Sequence, residues 1–489
     1  MFKKSLLLAA PTALLLSGTS VFALTADQVW ADLQALASGS GGEIKAATEV
    51  KEEGIITLNG VSVGPAGGPA VITIAEVSIE DQDDGSVAFF PADIKVTPPD
   101  GTMVAIEDQE LTVSVFEDEG GLGYALFADL LKVSFDATEG TAESPKRNAG
   151  SVTFEGLEAG YGRGADIMSV DLVAKRMAYD LTQVDKAMML DSTSVSDTAD
   201  LSLVGELTIP AGVNLMALDG PGAFEDAVSK GLALTAAMTS GLSKGTTEER
   251  GEMMPMTVTF EGASSTMNIA ADKTSMMIEG ASSGLKAEVT PPGMPMSFPV
   301  SMDSLSMAYM MPVSAPDGGA YQLKLNLANL VLGESVWAMF DPSAALARDP
   351  ANLALDVSGQ AKFDLLATMA AEGTGTAPPV PEPVSLDIKE LGFKLAGAAL
   401  SGTGAFTFDN SMMAMGGPPM PLGTANLRLE GGNKLIDGLI ATGLLKEEDA
   451  MGARMMMAMF GKPDGDDVLT SQIEAKEGGS IFVNGQQIQ

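Results

Sequence analysis

Ser283 and Lys286 stand at the spacing of the S-x-x-K motif of serine acyl-transferases. Enzymes of that kind also carry S-D-N and K-T-G, and neither string occurs in this chain. The match falls in a stretch that reads as a hairpin, so it is read as coincidence. Histidine and cysteine are both absent, which removes Ser-His-Asp and Cys-His nucleophiles and metal ligation by imidazole or thiolate. The 65 acidic residues could supply the carboxylate pair of a glycosidase, but sugar sites add stacking aromatics and the chain has only 2 Trp and 5 Tyr. Glu80 to Gly85 crowds oxygen ligands before a glycine. An EF-hand loop counted from Glu80 would need glutamate at its twelfth position, where Pro91 stands. An acidic turn explains this segment, and equally Asp464-Gly465-Asp466-Asp467. No catalytic, cofactor-binding or metal-ligating residue is assigned, no cofactor is expected, and the chain reads as non-enzymatic.

Methionine is the unusual side chain. Its 31 copies cluster at Met253, Met254 and Met256, at Met294 and Met296, at Met310 and Met311, at Met412, Met413 and Met415, and from Met455 to Met459. Thioethers ligate Cu(I), fill irregular cores, or make pliable surfaces for lipids and apolar peptides. Adaptable packing is the preferred reading in a chain with 5% aromatics. The closing segment is the most legible. Asn433 is placed to cap a helix whose Leu435, Ile436, Leu439 and Ile440 share one face. Gly443 breaks the phase, and Lys446 to Asp449 opens a second turn of helix with acids at its start. Met451, Met455 and Met459 then recur at i, i+4 and i+8, before Gly461 and Pro463 end the pattern. Leu435, Leu439, Met451, Met455 and Met459 are the candidate residues of an apolar groove or its lid. The plainer reading is two helices folded onto a sheet.

The elements that would position them are mostly strands. Ile72 and Ile74, then Val77 and Ile79, alternate with a one-residue phase change at Ala75–Glu76 that suggests a bulge. Leu111, Val113 and Val115 alternate cleanly, as do Leu323, Leu325 and Leu327, and then Leu353, Leu355 and Val357. Such alternation marks antiparallel sheet with one buried face. Helices are expected at four further places, one of them a helical patch at Val336, Trp337, Met339 and Phe340. Thr25 and Gln28 form a capping box, with Leu24 and Val29 as its hydrophobic staple. Pro221 to Met238 carries Phe224, Val228 and Leu232 on one face. Asp341 and Pro342 are placed to start a short helix. Thr141–Gly150 and Gly241–Met256 read as loops, and Gly373–Pro383 as a loop or hinge. VTFEG occurs at Val152 and again at Val258, a hint of duplication.

Met1 to Ala23 has the form of an export signal: Lys3 and Lys4, an apolar core from Ser5 to Leu16, and small residues Val21 and Ala23 before a cleavage point. The expectation is a periplasmic protein with no membrane-spanning helix. A formal net charge of −37 repels phosphate backbones and excludes nucleic acid as a partner. A lipid or an envelope protein is the partner class left open, and the oligomeric state is not read from the sequence.

A resemblance enters at Trp337, Phe340-Asp341-Pro342 and Arg348-Asp349-Pro350. With Leu435-Ile436-Asp437-Gly438-Leu439, Arg454, Leu469-Thr470-Ser471, Ile473-Glu474 and Val483-Asn484-Gly485-Gln486, these resemble the domain of unknown function 2125, a family of exported bacterial proteins. The resemblance is densest from Trp337 to Gln489, and looser upstream, as at Asp84-Gly85-Ser86-Val87. Ala347 replaces an expected proline. The family implies no activity and no site residues. The expected architecture is mainly β (α+β): large antiparallel, curved sheet or sheets, with a few amphipathic helices packed on faces or ends. After the signal, residues 24–220 and 221–489 are read as two β-rich halves, each opened by a helix. The functional expectation is a non-catalytic envelope protein that binds a lipid or other apolar ligand on a Met/Leu-lined sheet face. The alternatives are a structural or interaction protein and, remotely, a carboxylate-based hydrolase.

Overall fold

The computed structural model describes residues 24–39, 41–118, 121–140, 145–164, 166–213, 218, 222–251, 255–293 and 296–488. The segment read as an export signal lies outside them. Six helices occur among the described residues: α1 (Ala26–Gly39), α2 (Ala223–Lys230), α3 (Glu334–Phe340), α4 (Leu365–Thr374), α5 (Gly432–Ala441) and α6 (Glu447–Phe460). None is long and apolar enough to cross a membrane, which says nothing of crossing by strands.

The remainder is sheet. Its first part is β1 (Gly42–Lys45), β2 (Thr48–Glu52), β3 (Ile55–Pro65), β4 (Ile72–Asp81), β5 (Val87–Val96), β6 (Met103–Gln109), β7 (Thr112–Asp118) and β8 (Gly121–Gly140). Long strands follow: β9 (Pro145–Arg163), β10 (Ile167–Asp185) and β11 (Leu190–Thr208). Then come β12 (Ala233–Ser240), β13 (Ser243–Glu249), β14 (Met256–Gly262), β15 (Ser264–Ala271), β16 (Ser275–Thr290), β17 (Phe298–Pro312) and β18 (Ser314–Leu332). The last part is β19 (Ala351–Asp364), β20 (Glu382–Leu395), β21 (Ala398–Asp409), β22 (Met420–Glu430), β23 (Lys462–Pro463), β24 (Val468–Lys476), β25 (Ser480–Val483) and β26 (Gln486–Gln487).

Every pairing among the described residues is antiparallel, and the order follows the chain almost throughout. β1 and β2 pair with β3, and β3–β4–β5 runs on to β6 and β7, which share β8. β8–β9–β10–β11 leads to β12 and β13, which continue through β15 and β14 to β16. From β16 the order is sequential to β22, then β24, with β23 and β25 on β24. β11 pairs with β12, so residues on both sides of position 220 share one sheet.

A crease crosses this sheet. Gly60, Asp93, Glu110, Gly156, Asp200, Gly284 and Asn329 all have left-handed backbone, with φ between 49° and 62°. An extended strand cannot continue through such a residue. Yet on most ladders the register is the same on either side; it shifts by one between β18 and β19 at Asn329, and by two between β5's pairing with β6 and its pairing with β7. Asn59 pairs with Glu76 and Val61 with Ile74, while Glu155 pairs with Arg176 and Leu157 with Ala174. The breaks between β6 and β7 and between β12 and β13 fall on the same line. Neighbouring strands therefore turn together, and the sheet bends along one line. The phase change at Ala75–Glu76 is real, since Ile74 and Val77 line one pocket. Its cause is this crease and not an inserted bulge residue: no register shift accompanies it.

Several local expectations are met in detail. Thr25 N–H donates to Gln28 Oε1 at 2.9 Å and Gln28 N–H to Thr25 Oγ1 at 3.3 Å, the reciprocal capping box. Leu24 and Val29 are both buried beside it. Others are corrected. The helix expected to reach Met238 stops at Lys230, because Gly231 takes φ 111° and returns its N–H to the helix carbonyls. Leu232 then leads into β12. The expected start of that helix, Asp219 to Pro221, lies outside the described residues. Gly241–Met256 contains β13, a strand of Ser, Lys, Gly, Thr and Glu held by ladders on both sides. Pro145–Gly150 is likewise strand, paired with β8 and β10. Gly373 belongs to the end of α4, and the loop begins beyond it.

Candidate functional site

The pairing register decides which side chains share a face, because cross-strand partners point to the same side. One row can be followed from β3 to β22. It begins with Ile56, Ile79, Phe89 and Val113, and passes through Leu126, Ala159, Leu172 and Leu203. Met238, Met267, Gly280 and Met307 carry it across the middle. Leu325, Leu355, Leu391, Gly402 and Leu427 complete it. A parallel row two residues along contains Tyr124, Tyr161, Val170, Ile269, Ile278, Tyr309, Leu323 and Val357. The opposite face carries Asp171, Asn268, Glu279, Lys324, Asp356 and Glu390 at the intervening positions. From β15 to β20 the sheet is amphipathic, whereas on β8–β11 the opposite face also exposes Phe127, Val173 and Val204.

Helices cover this apolar face unevenly. At the β3–β8 end, α1 seals it: Val29 and Trp30 pack with Ile56, Leu58, Val77, Ile79 and Phe89. Along one border, Ala227 and Val228 of α2 and Leu366 of α4 pack with Leu207, Met276 and Val313. At the far end stand α3, α5 and α6. Between them no helix among the described residues lies over the face. Met238, Met267, Leu305, Met307, Tyr309 and Leu323 are each 36–45% exposed. On β8–β10 the same face closes on itself, with Ala128, Leu157 and Ala174 buried; the exposed stretch runs from Met238 on β12 to Phe393 on β20, about 30 Å at about 4.8 Å per strand.

The far end is organised by Trp337 and Asp341. Asp341 is fully buried, and its carboxylate accepts N–H bonds from Ala345 (2.8 Å) and Leu346 (2.9 Å) and the Ser343 hydroxyl (3.2 Å). Burial pushes its pKa up, but these donors outweigh it and hold the carboxyl below its usual range. It therefore ties a turn; no helix follows Pro342, contrary to expectation, because the carboxylate is spent four and five residues on. Arg348 lies over the Trp337 ring at 5.5 Å, donates to the Asp341 carbonyl at 3.2 Å and pairs with Glu334. Leu435 and Leu439 of α5 pack into this cluster beside Leu346 and Phe340. A Cβ on Gly438 would stand 2.7 Å from a Leu346 methyl and 3.0 Å from the Ala345 carbonyl, so glycine keeps this approach close.

The predicted groove residues thus part company. Leu435 and Leu439 are in the cluster, whereas Met451 (69%), Met455 (61%) and Met459 (57%) are exposed on the outer side of α6. The residues of α6 that face the sheet are Met457 and Phe460, with Met456 at the rim. They line an open, almost wholly apolar pocket of about 310 Å³ against Leu400, Leu427, Leu429, Leu469, Ile473 and Val483, with Thr470 and Ser471 at its edge. Arg454 pairs with Asp437, joining α6 to α5. The i, i+3 pair Met457–Phe460 was the signal available in the sequence.

Asn433 does not cap α5 with its side chain. Asp467, left-handed at φ 52°, accepts the N–H groups of Asn433 (2.9 Å) and Lys434 (3.0 Å) and the Asn433 amide (2.9 Å). Partial burial pushes its pKa up, and those donors more than reverse this, leaving it lowered. Asp467→Ala is expected to cost about 1 kcal/mol at neutral pH, the ordinary worth of a helix cap. Because the folded pKa is the lower one, that difference is present above the unfolded value and fades as pH falls through the folded one. Urea titrations of both proteins at pH 7 and pH 3 measure it.

Among the described residues, no group of three or more acidic side chains is placed to hold a metal ion. No curated protein and no solved structure matches the chain. Residues 233–479, just over half of its length, match the model of a family described as "Uncharacterized protein conserved in bacteria (DUF2125)". The matched segment runs from β12, through the uncovered part of the apolar face, to the Trp337–Asp341 cluster and α6, and on this match the chain belongs to that family.

Proposed function

We propose that this is a non-catalytic protein of the bacterial envelope, exported to the periplasm, that holds a lipid by its aliphatic chains on the uncovered apolar face between α1 and α5–α6. One observation carries the reading. The same residue rows that form closed core at both ends continue, with Met and Leu in place, through a middle stretch that no helix among the described residues covers. Isolated exposed apolar residues are ordinary, but a contiguous band about 30 Å long, from β12 to β20, marks an interaction surface. Methionine suits it, since an unbranched thioether adapts to chains of varied shape.

The test is native mass spectrometry of the gently purified protein, with lipid extraction in parallel. Wild type carries lipid. Met267→Asp and Met307→Asp, at half-exposed positions, lose at least about tenfold of that load while the far-ultraviolet circular dichroism stays unchanged. A clean apo mass from wild type sinks the reading. The second reading, an interaction protein without small ligand, is favoured by the outward row Met451, Met455 and Met459. It is supported if the apo protein binds an envelope partner that Met455→Glu releases.

A further inference from the structure

The apolar rows begin in a pocket under α1. Trp30 and Leu33 roof it, Leu58, Val77 and Phe89 form its floor, and Tyr124 stands where β8 leads on to the uncovered face. Its volume is about 220 Å³ and no charged side chain lines it. The two lining side chains with polar atoms are already engaged: Trp30 Nε1 donates to Glu49 at 3.0 Å, and Tyr124 Oη to Asp32 at 2.7 Å. Burial, reinforced by the Asp32 carboxylate, raises the Tyr124 pKa, so the phenol remains a donor and keeps its place. Tyr161, the cross-strand partner of Tyr124, lies at 6.1 Å between ring centroids and belongs to the uncovered rows. These two rings thus lead from the pocket along the row that continues onto the uncovered face.

Resting on the function proposed above, we propose that this pocket receives the methyl end of a straight aliphatic chain lying along the sheet. A headgroup would enter with no partner for its hydrogen bonds, because the pocket's own polar atoms are satisfied elsewhere. The chain end is the only part of a lipid that loses nothing there. Bound lipid is therefore polarised: tail toward α1, headgroup toward the middle of the sheet or beyond.

The chain has 2 Trp, and Trp30 lines the pocket. Bromine quenches tryptophan on contact, so hexadecanoic acid brominated at its terminal carbon is the probe, with the mid-chain isomer as control. In Trp337→Phe, only Trp30 reports; subtracting the signal of Trp30→Phe from wild type gives the same readout without touching Trp337. Terminal bromine is expected to quench at least about twofold more than mid-chain bromine. Val113→Phe, which fills the pocket from β7, abolishes that difference while the fatty acid still binds by native mass. Equal quenching by both isomers, or a bound chain that leaves Trp30 unquenched, overturns the assignment and leaves the lipid reading standing. Failure of any fatty acid or lipid to bind overturns both.

Discussion

Trp337→Ala lowers the stability of the folded chain by about 3–5 kcal/mol, the usual cost of removing a buried indole. The ring is 7% exposed and holds three things at once. Phe340 packs on it at 5.1 Å, the Arg348 guanidinium lies over it, and the leucines of α5 join the same cluster. Equilibrium urea unfolding, followed through Trp30 and the backbone circular dichroism, measures the loss; a cost under about 1 kcal/mol would show that α5 does not depend on the ring. Asp341→Asn in the same cluster is destabilising at neutral pH, because an amide cannot accept from both N–H groups and the hydroxyl as a carboxylate does. The pH dependence has a definite sign. The folded pKa lies below the unfolded value of about 3.9, so the carboxylate's advantage is full above that value and disappears as pH falls through the folded pKa. The melting curves of the two proteins should converge in acid and separate above about pH 4.

A second pair of variants tests the uneven covering of the apolar face. Ile79 and Met307 occupy the same row, many strands apart. Ile79 is fully buried under α1, whereas Met307 is 45% exposed. Ile79→Ala is expected to cost about 2–5 kcal/mol, and Met307→Ala less than about 1 kcal/mol in lipid-free protein. In lipid-loaded protein the Met307 cost grows, because ligand bound only to the folded state adds to its stability. Equal costs at the two positions in lipid-free protein would mean that the middle of the face is covered in solution.

Strands with strict alternation were legible one at a time. Leu323–Leu327 and Leu353–Val357 lie where period two placed them, and the Thr25–Gln28 box was readable from four residues. Polar strands were not: β13 has no apolar residue to mark its face and exists because both neighbours offer ladders. The helix α4 was missed because Leu365–Thr374 runs into a Gly/Thr/Pro stretch that dominates its composition. The site was the least legible part. That Met267 lies level with Leu126, Leu203 and Leu355 is a property of register accumulated across many ladders, which no local window contains. In α6 the i, i+4 methionine row was correctly spaced, but spacing alone does not choose between the sheet and the solvent; Met457 and Phe460 took the inner side.

Because almost every strand pairs with its neighbours in the chain, the molecule is close to one-dimensional, and its order of assembly can follow its order of emergence. The core under α1 is drawn from Leu24 to Tyr124 alone, so a chain delivered N-terminus first holds everything needed for that core after roughly a quarter of its length. Each later strand then adds to an edge already formed, with only short loops to close. The growing edge is never without its next partner for long, which limits the time it can recruit a strand from another molecule.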